Sequence, residues 1–300
     1  MDNLRGATLM VLAMLGFAIE DSFIKHMGDA LPIGQILVML GIGGAAVFAI
    51  VVLAQGRALF ERDMLAAPVL IRAVGEIIGT ICFISAIVFT PLSTASAILQ
   101  ATPLVVTLGA ALFLGEAVGW RRWAAIGVGF FGVLMIIRPG LDGFSALSLF
   151  ALGGVFGLAI RDIATRKTSA RLSSMQLSFL GFLVLLPAGL IVLGVTDQPL
   201  APLDARLWLL ITASIAIGVF AYYGIVAAMR VGEVSFVTPF RYSRLIFAMI
   251  IGVAFFGERP DAFTLLGGLI IVASGIYTVL RERKHRVKAV ASLSKPLSRL

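Results

Sequence analysis

Two arginines, Arg241 and Arg244, lie in an apolar stretch long enough to cross a membrane, residues 234–256. Because an α-helix rises about 1.5 Å per residue, we expect Arg241 about 10 Å and Arg244 about 15 Å into that span, on one helix face. A guanidinium at this depth can bind a carboxylate, a phosphate or an electron-rich carbonyl of a solute. The alternative is an internal salt bridge to Glu76 or Asp21.

The residues around these arginines favour a solute site with aromatic character. Pro239 removes one helical hydrogen bond, so we expect a local break with free carbonyl groups. Aromatic faces interleaved with arginine suit a flat heteroaromatic ring, and Phe83 could face them, although most membrane aromatics serve packing. The candidate substrate contacts are Arg241, Arg244, Gln100, Tyr242, Phe240, Ser243, Tyr222, Tyr223 and Thr102.

Carboxylates inside the apolar stretches indicate a second kind of chemistry, because a membrane carboxylate can carry a coupling proton. Asp21 can instead pair with Lys25, and Glu76 with Arg72, since each partner is four residues away on a helix. Glu20 has no such local partner. The candidates for coupling or gating are Glu20, Asp21, Glu76, Pro103 and Pro239.

The composition places this chemistry in lipid. Of the 300 residues, 60% are hydrophobic and only 13% are charged, which is too few to cover a water-facing surface. The two histidines and the single cysteine form no cluster with metal-ligand spacing, so we expect no metal and no cofactor. The net charge of +8 is typical of a membrane protein with basic loops, and we expect no nucleic-acid partner.

Ten stretches can each form the helix of about 20 residues that crosses roughly 30 Å of hydrocarbon. The sequence therefore predicts an all-α membrane protein with ten transmembrane helices. The predicted spans are 7–26, 33–54, 69–89, 91–114, 123–138, 146–166, 174–195, 207–229, 234–256 and 263–281.

Most of the 24 lysines and arginines fall in loops and helix ends on the side of the N-terminus. Since basic residues collect on the cytoplasmic side, we expect both termini in the cytoplasm and a multi-pass protein of the bacterial inner membrane. Residues 282–300 are predicted to form a basic cytoplasmic tail.

The two halves of the chain resemble each other. The run Gly16–Asp21 matches Gly157–Asp162 at an offset of 141, which also relates Gln35 to Gln176 and Gln100 to Arg241. A Gly-Glu pair at Gly115-Glu116 returns at Gly257-Glu258. Because five spans are an odd number, the second copy enters the membrane from the opposite side. We therefore predict two inverted five-helix repeats, residues 1–140 and 141–281.

These repeated Gly-Glu span ends, each followed by a Gly-rich helix, resemble EamA-type members of the drug/metabolite transporter superfamily over about residues 7–281. The resemblance implies secondary transport of a small organic metabolite by alternating access, and no ATP-binding Gly-x-x-x-x-Gly-Lys-Ser/Thr loop is present. The opening stretch, residues 3–21, resembles carriers of which some import riboflavin. The resemblance thus favours uptake of riboflavin or a similar vitamin.

Other functions remain open at this point. An exporter of amino acids or other metabolites would use an arginine to receive the carboxylate. A membrane-embedded enzyme would need a nucleophile with a base, a metal set or paired acids, and the sequence contains no such motif. A non-transporting scaffold is expected to carry an extramembrane domain, and no segment is long enough for one. We therefore expect a protein that is not an enzyme.

Overall fold

A computed structural model of the chain describes residues 2–113, 119–141, 145–231 and 234–293. Within these ranges it is all-helical and contains ten helices long and apolar enough to cross a membrane, which confirms the predicted fold class. The spans, numbered 1 to 10 and with their helical segments, are Asp2–Met27, Ile33–Ala54, Ala67–Phe89, Leu92–Leu99 with Thr102–Phe113, Trp120–Ile137, Ser148–Thr165, Ser174–Leu183 with Leu185–Thr196, Ala205–Val231, Val234–Val237 with Thr238–Tyr242 and Ser243–Phe256, and Ala262–Leu293.

The largest differences from the predicted bounds lie at the ends of spans 1 and 10. Span 1 begins at Asp2 rather than at residue 7, and the helix of span 10 continues to Leu293 rather than ending at 281. In both places polar residues that are compatible with helix extend the apolar core of the span beyond the hydrocarbon. The predicted pair Gly115-Glu116 lies outside the described residues, as does the end of the basic tail, 294–300. We call the end of the bundle where span 1 begins the N-terminal end.

Each span packs most extensively against a span of the other half. Span 1 packs against span 8, span 3 against span 6, span 2 against span 7 and span 5 against span 10, while spans 4 and 9 pack against spans 6 and 1. Glycines permit several of these approaches: a Cβ added to Gly157 would lie 2.3 Å from the backbone N of Gly79. A Cβ on Gly34 would lie 2.5 Å from the carbonyl oxygen of Gly189.

Equivalent glutamines join the halves at both ends of spans 2 and 7. The Gln35 amide donates to the carbonyl of Ala201 at 2.9 Å and accepts from its N–H at 2.8 Å. The Gln176 amide donates to the carbonyl of Ala58 and to Glu61, each at 2.8 Å. Each glutamine thus binds the loop that connects two spans of the opposite repeat, as expected for inverted repeats.

Spans 4 and 9 are both interrupted, at equivalent positions. Span 4 breaks at Gln100 and Ala101, just before Pro103, and span 9 contains a 3-10 segment, Thr238–Tyr242, that includes Pro239. The Thr102 hydroxyl donates to the carbonyl of Leu99 at 2.7 Å, and the Ser243 hydroxyl donates to that of Phe240 at 2.7 Å. The Thr102 hydroxyl therefore satisfies a carbonyl that Pro103, which has no N–H, leaves free, whereas the Phe240 carbonyl also accepts from the main-chain N–H of Ser243. The predicted break at Pro239 is confirmed, and an equivalent break lies just before Pro103.

Candidate functional site

Arg244 forms a bidentate ion pair with Asp21, across 223 residues of sequence. Its Nη2 lies 2.7 and 2.8 Å from the two carboxylate oxygens, and its Nε lies 3.1 Å from one of them. Asp21 is buried, so the pair joins spans 1 and 9 within the apolar part of the bundle. The predicted local pair between Asp21 and Lys25 is wrong, because Lys25 points to the end of the bundle while Asp21 faces span 9.

Two aromatic rings flank the Arg244 guanidinium. Its central carbon lies 5.1 Å from the ring centroid of Phe17 in span 1 and 5.3 Å from that of Phe83 in span 3. Both distances are within the range of cation–π attraction, which strengthens where water is excluded. Arg244, Asp21, Phe17 and Phe83 therefore form one group, contributed by three spans; we call it the Arg244 group.

Glu20, next to Asp21 in span 1, faces a glycine of span 8. A Cβ added to Gly218 would lie 2.5 Å from a carboxylate oxygen of Glu20, so Gly218 provides the space that this carboxylate occupies. No hydrogen bond or ion pair to Glu20 is found among the residues that the structure describes. Glu20, Asp21 and Arg244 thus place two carboxylates and one guanidinium in this region.

Gln100 and Arg241, which the 141-residue offset makes equivalent, meet each other. The Gln100 amide donates to the main-chain carbonyl of Arg241 at 3.4 Å. Two equivalent residues of an inverted repeat can touch only near the axis that relates the halves. The breaks of spans 4 and 9 therefore meet at the centre of the bundle. No carboxylate of the described residues pairs with the Arg241 guanidinium.

Lys25 and Glu258 join four chain segments at the end of the bundle opposite the N-terminal end. The Lys25 ammonium donates to the carbonyls of Ile87 at 3.0 Å and Thr90 at 2.6 Å, where span 3 ends, and lies 4.0 Å from Glu258. Glu258 accepts hydrogen bonds from the N–H groups of Leu92 and Ser93 and from the Ser93 hydroxyl, where span 4 begins. A cation thus caps one helix C-terminus and an anion caps the next N-terminus.

Glu76 belongs to a second charged group, between spans 3 and 6. It lies 3.1 Å from the Arg161 guanidinium and 3.5 Å from that of Arg72, its predicted partner four residues earlier. Arg161 also binds Asp162 at 2.9 Å. The predicted pair Arg72–Glu76 is confirmed. The sequence analysis missed the contact between Arg161 and Glu76, which only the packing of the two spans reveals.

The predicted aromatic contacts do not all gather at the arginines. Tyr242 is buried, and its hydroxyl fills the space beside Gly275 without a hydrogen-bond partner among the described residues. Tyr222 lies edge-on to Phe48, with ring centroids 5.6 Å apart. Tyr223 is 59% exposed and Phe240 is also exposed, so both lie on outer surfaces.

Asp21, Phe17 and Phe83 occupy the surroundings of Arg244, where the sequence predicts a solute site. Phe17 was missed as a member of the site; its position one helical turn before Asp21 could have indicated it. Gly218, Lys25 and Glu258 were also missed as partners, because their contacts lie in other spans.

Comparison with known proteins identifies relatives along almost the whole chain. The family model described as the EamA-like transporter family matches residues 4–138 and 146–280. The riboflavin transporter of Vibrio cholerae serotype O1 is 29% identical over 286 residues, which cover 94% of this chain and 95% of the relative. The pseudopaline exporter CntI of Pseudomonas aeruginosa is 29% identical over 277 residues, or 90% and 94% of the two chains.

More distant matches agree with these. The S-adenosylmethionine uptake transporter of Rickettsia prowazekii is 23% identical over 282 residues, which cover 94% of both chains. One solved crystal structure, 19% identical, superposes with a TM-score of 0.61 over 94% of this chain and 98% of the other. This last likeness concerns the fold alone.

Proposed function

Because the chain belongs to the EamA-like transporter family, we propose that it is a secondary transporter that moves a small organic metabolite across the bacterial inner membrane by alternating access. It is a multi-pass bacterial membrane protein and a transporter of this family. In the proposed orientation both termini lie in the cytoplasm, and the protein does not chemically convert its substrate.

The contact between the two interrupted spans is the main observation that supports this mechanism. The Gln100–Arg241 contact lies between equivalent breaks of spans 4 and 9, so each half contributes one flexible point at the same depth. Spans 1, 8 and 9 form one group and spans 3, 4 and 6 its inverted equivalent. If these groups exchange conformations, a path that opens at one end of the bundle closes at the other.

The Lys25–Glu258 junction fits this mechanism as a closed gate. It joins span 1 and the loop after span 9, from one group, to spans 3 and 4 of the other. Opening at this end requires these hydrogen bonds to break, because the two groups must separate there. Pro103 and Pro239 lie beside the breaks and allow each helix to bend where its ladder of main-chain hydrogen bonds is already interrupted.

For the substrate, we propose a riboflavin-like heteroaromatic vitamin, taken up into the cell. The Arg244 group offers a guanidinium between two aromatic faces, which suits a flat ring with carbonyl groups. The relatives named for riboflavin and for S-adenosylmethionine both take compounds that contain a flat nitrogen heterocycle. A carbonyl that binds Arg244 competes with Asp21 and so links substrate binding to the ion pair.

Export of an amino acid or a similar metabolite is the second candidate. The relative named as a pseudopaline exporter favours it, and a substrate carboxylate would replace Asp21 on Arg244. In either direction, Glu20 is the proposed carrier of a coupling proton, because it is the carboxylate of this region that has no partner among the described residues.

Transport by the purified protein in liposomes tests the proposal. Vesicles preloaded with unlabelled riboflavin are expected to accumulate labelled riboflavin by counterflow, and excess unlabelled flavin outside is expected to abolish the signal. Arg57→Gln, an exposed arginine distant from the Arg244 group, is the matched control and should transport like the wild type. Signal equal to that of empty liposomes refutes riboflavin, and the same assay with amino acids then tests the exporter.

A further inference from the structure

A cleft of about 440 Å³ separates spans 5 and 10 toward the N-terminal end of the bundle. The two helices touch farther along, where a Cβ on Gly132 would lie 2.8 Å from the carbonyl of Gly267. Four of the nine residues that line the cleft are small. Its lining residues are Trp120, Arg121, Ala124, Ala125, Val128, Ile270, Ala273, Ser274 and Tyr277.

Charge and aromatic residues are concentrated at the mouth of this cleft. The exposed Arg121 lies over the ring of Trp120, 5.3 Å from its centroid, and Tyr277 lines the facing wall. Arg281 lies four residues after Tyr277, so it continues the same helix face one turn nearer the water. No carboxylate in the described ranges pairs with Arg121 or Arg281.

The opposite end of the same two spans is different. There Arg138 forms a salt bridge with Asp261 and stacks on Phe263, 4.5 Å from the ring centroid. Its charge is therefore already neutralised by the protein. The described residues thus leave a pair of basic groups without an anion only at the N-terminal end of spans 5 and 10.

We propose that this cleft binds one anionic phospholipid, with the phosphate on Arg121 and Arg281 and an acyl chain along the alanine-lined walls. Apolar grooves that end in basic residues at the cytoplasmic interface match the two parts of such a lipid, and Trp120 and Tyr277 lie at headgroup level. A second copy of the chain is a poorer occupant. A twofold axis along the membrane normal would bring Arg121 against its own equivalent, and like charges repel.

Quenching of Trp120 by brominated lipid tests the proposal without any transport assay. A variant with Trp123→Phe and Trp208→Phe leaves Trp120 as the reporter, because these are the three tryptophans of the chain. In nanodiscs of phosphatidylcholine, brominated phosphatidylglycerol is expected to quench Trp120 at lower mole fraction than brominated phosphatidylcholine. A preference of roughly fivefold per arginine is expected from the attraction of one basic group to an anionic lipid.

Charge removal distinguishes a site from general attraction. Arg121→Gln with Arg281→Gln is expected to make the two lipids equal, whereas Arg57→Gln with Arg62→Gln removes the same charge from an exposed loop and should leave the preference intact. Equal quenching in the unmodified background, or a preference that survives loss of both cleft arginines, overturns the proposal. So does protection of Trp120 from both lipids with dimers seen by mass photometry, because a second copy would then fill the cleft.

Discussion

The two charged groups of the bundle occupy equivalent places in the inverted repeats but differ in how their charges are balanced. The 141-residue offset relates Glu20 to Arg161 and Asp21 to Asp162. Between spans 3 and 6, Arg161 binds both Asp162 and Glu76. Between spans 1 and 8, Glu20 meets Gly218 instead, and Asp21 binds Arg244 of span 9.

This difference separates charges that hold the structure from charges that are available for function. Between spans 3 and 6, the two arginines Arg72 and Arg161 neutralise the two carboxylates of Glu76 and Asp162. Between spans 1 and 8, Arg244 alone faces the carboxylates of Glu20 and Asp21. Binding of a proton by a carboxylate, or movement of Arg244, can therefore change how these charges are balanced. An unbalanced charge inside a membrane is costly, which favours a functional reason for keeping it.

Removing the Asp21–Arg244 pair is expected to have the largest effect. The single variants Asp21→Asn and Arg244→Gln each leave one buried charge unpaired and should lose about 3–5 kcal/mol of stability. The double variant removes both charges of the pair and should unfold near the wild-type temperature. Its transport should nevertheless fall roughly 10- to 100-fold, because a charged hydrogen-bonding group for the substrate is gone.

Unfolding temperature and counterflow in liposomes measure these two effects on the same samples. If the double variant transports like the wild type, Arg244 is a structural residue, and the two charged groups do not differ in function.

The two glutamates should respond in opposite ways. Glu76→Gln weakens the contacts to Arg161 and Arg72 and should lower the unfolding free energy by about 2 kcal/mol, with normal transport per folded molecule. Glu20→Gln removes no contact of the described residues, so stability should be retained, while acceleration of transport by a pH gradient should disappear. Transport with and without an imposed gradient checks this; Glu20→Gln transport that still responds to the gradient rejects Glu20 as the proton carrier.

The equivalent glycines of spans 6 and 1 extend the comparison to packing. Gly157→Ala places a Cβ 2.3 Å from the backbone N of Gly79, where nothing can move easily, and should cost about 1–3 kcal/mol. Gly16→Ala places its Cβ 3.0 Å from that of Ala221, and a smaller loss, below about 1 kcal/mol, is expected. The unfolding temperatures of both variants, measured in the same detergent, test this difference. Equal losses of stability would mean that spans 1 and 8 are packed as rigidly as spans 3 and 6.

The pair Arg138–Asp261 should have the smallest effect and provides a reference outside both groups. Partial burial alone would raise the pKa of Asp261, but hydrogen bonds from Arg138 and Thr264 hold it below its usual value. Because the folded pKa is lowered, this stabilisation is present at neutral pH and is lost as the pH falls through it. Asp261→Asn should therefore cost less than about 1 kcal/mol at neutral pH and nothing in acid. A loss that persists in acid would point to packing rather than charge.

The sequence predicts the ten spans and the break at Pro239, because these depend on local hydropathy and on proline, and it predicts the repeat from residues that match at a fixed offset. Partners from distant spans are harder. The sequence names Asp21 both as a neighbour of Lys25 and, with Glu76, as an alternative partner of the two arginines, but only the fold shows that span 1 turns this carboxylate toward Arg244. The 141-residue offset relates Arg241 to Gln100, and these two residues meet near the axis that relates the two halves.

The partners of whole helices escape prediction for a related reason. In a soluble protein an apolar stripe indicates the buried face, but in lipid the outer faces are apolar too. The solute site expected at Arg244 requires a conformation in which Asp21 does not bind this arginine. The sequence alone does not indicate which of the two conformations the structure has.

The exchange of partners between the halves also has a consequence for biosynthesis. Because each of spans 1 to 5 packs mainly against a span of the second half, the ribosome delivers the entire first repeat before the surfaces that will cover it exist. Span 1 waits longest, because six spans are made between it and span 8, and span 5 receives its partner last. Newly inserted helices must therefore be held apart by the insertion machinery or by lipid, and a premature stop codon even within span 10 would leave helices made much earlier without their neighbours.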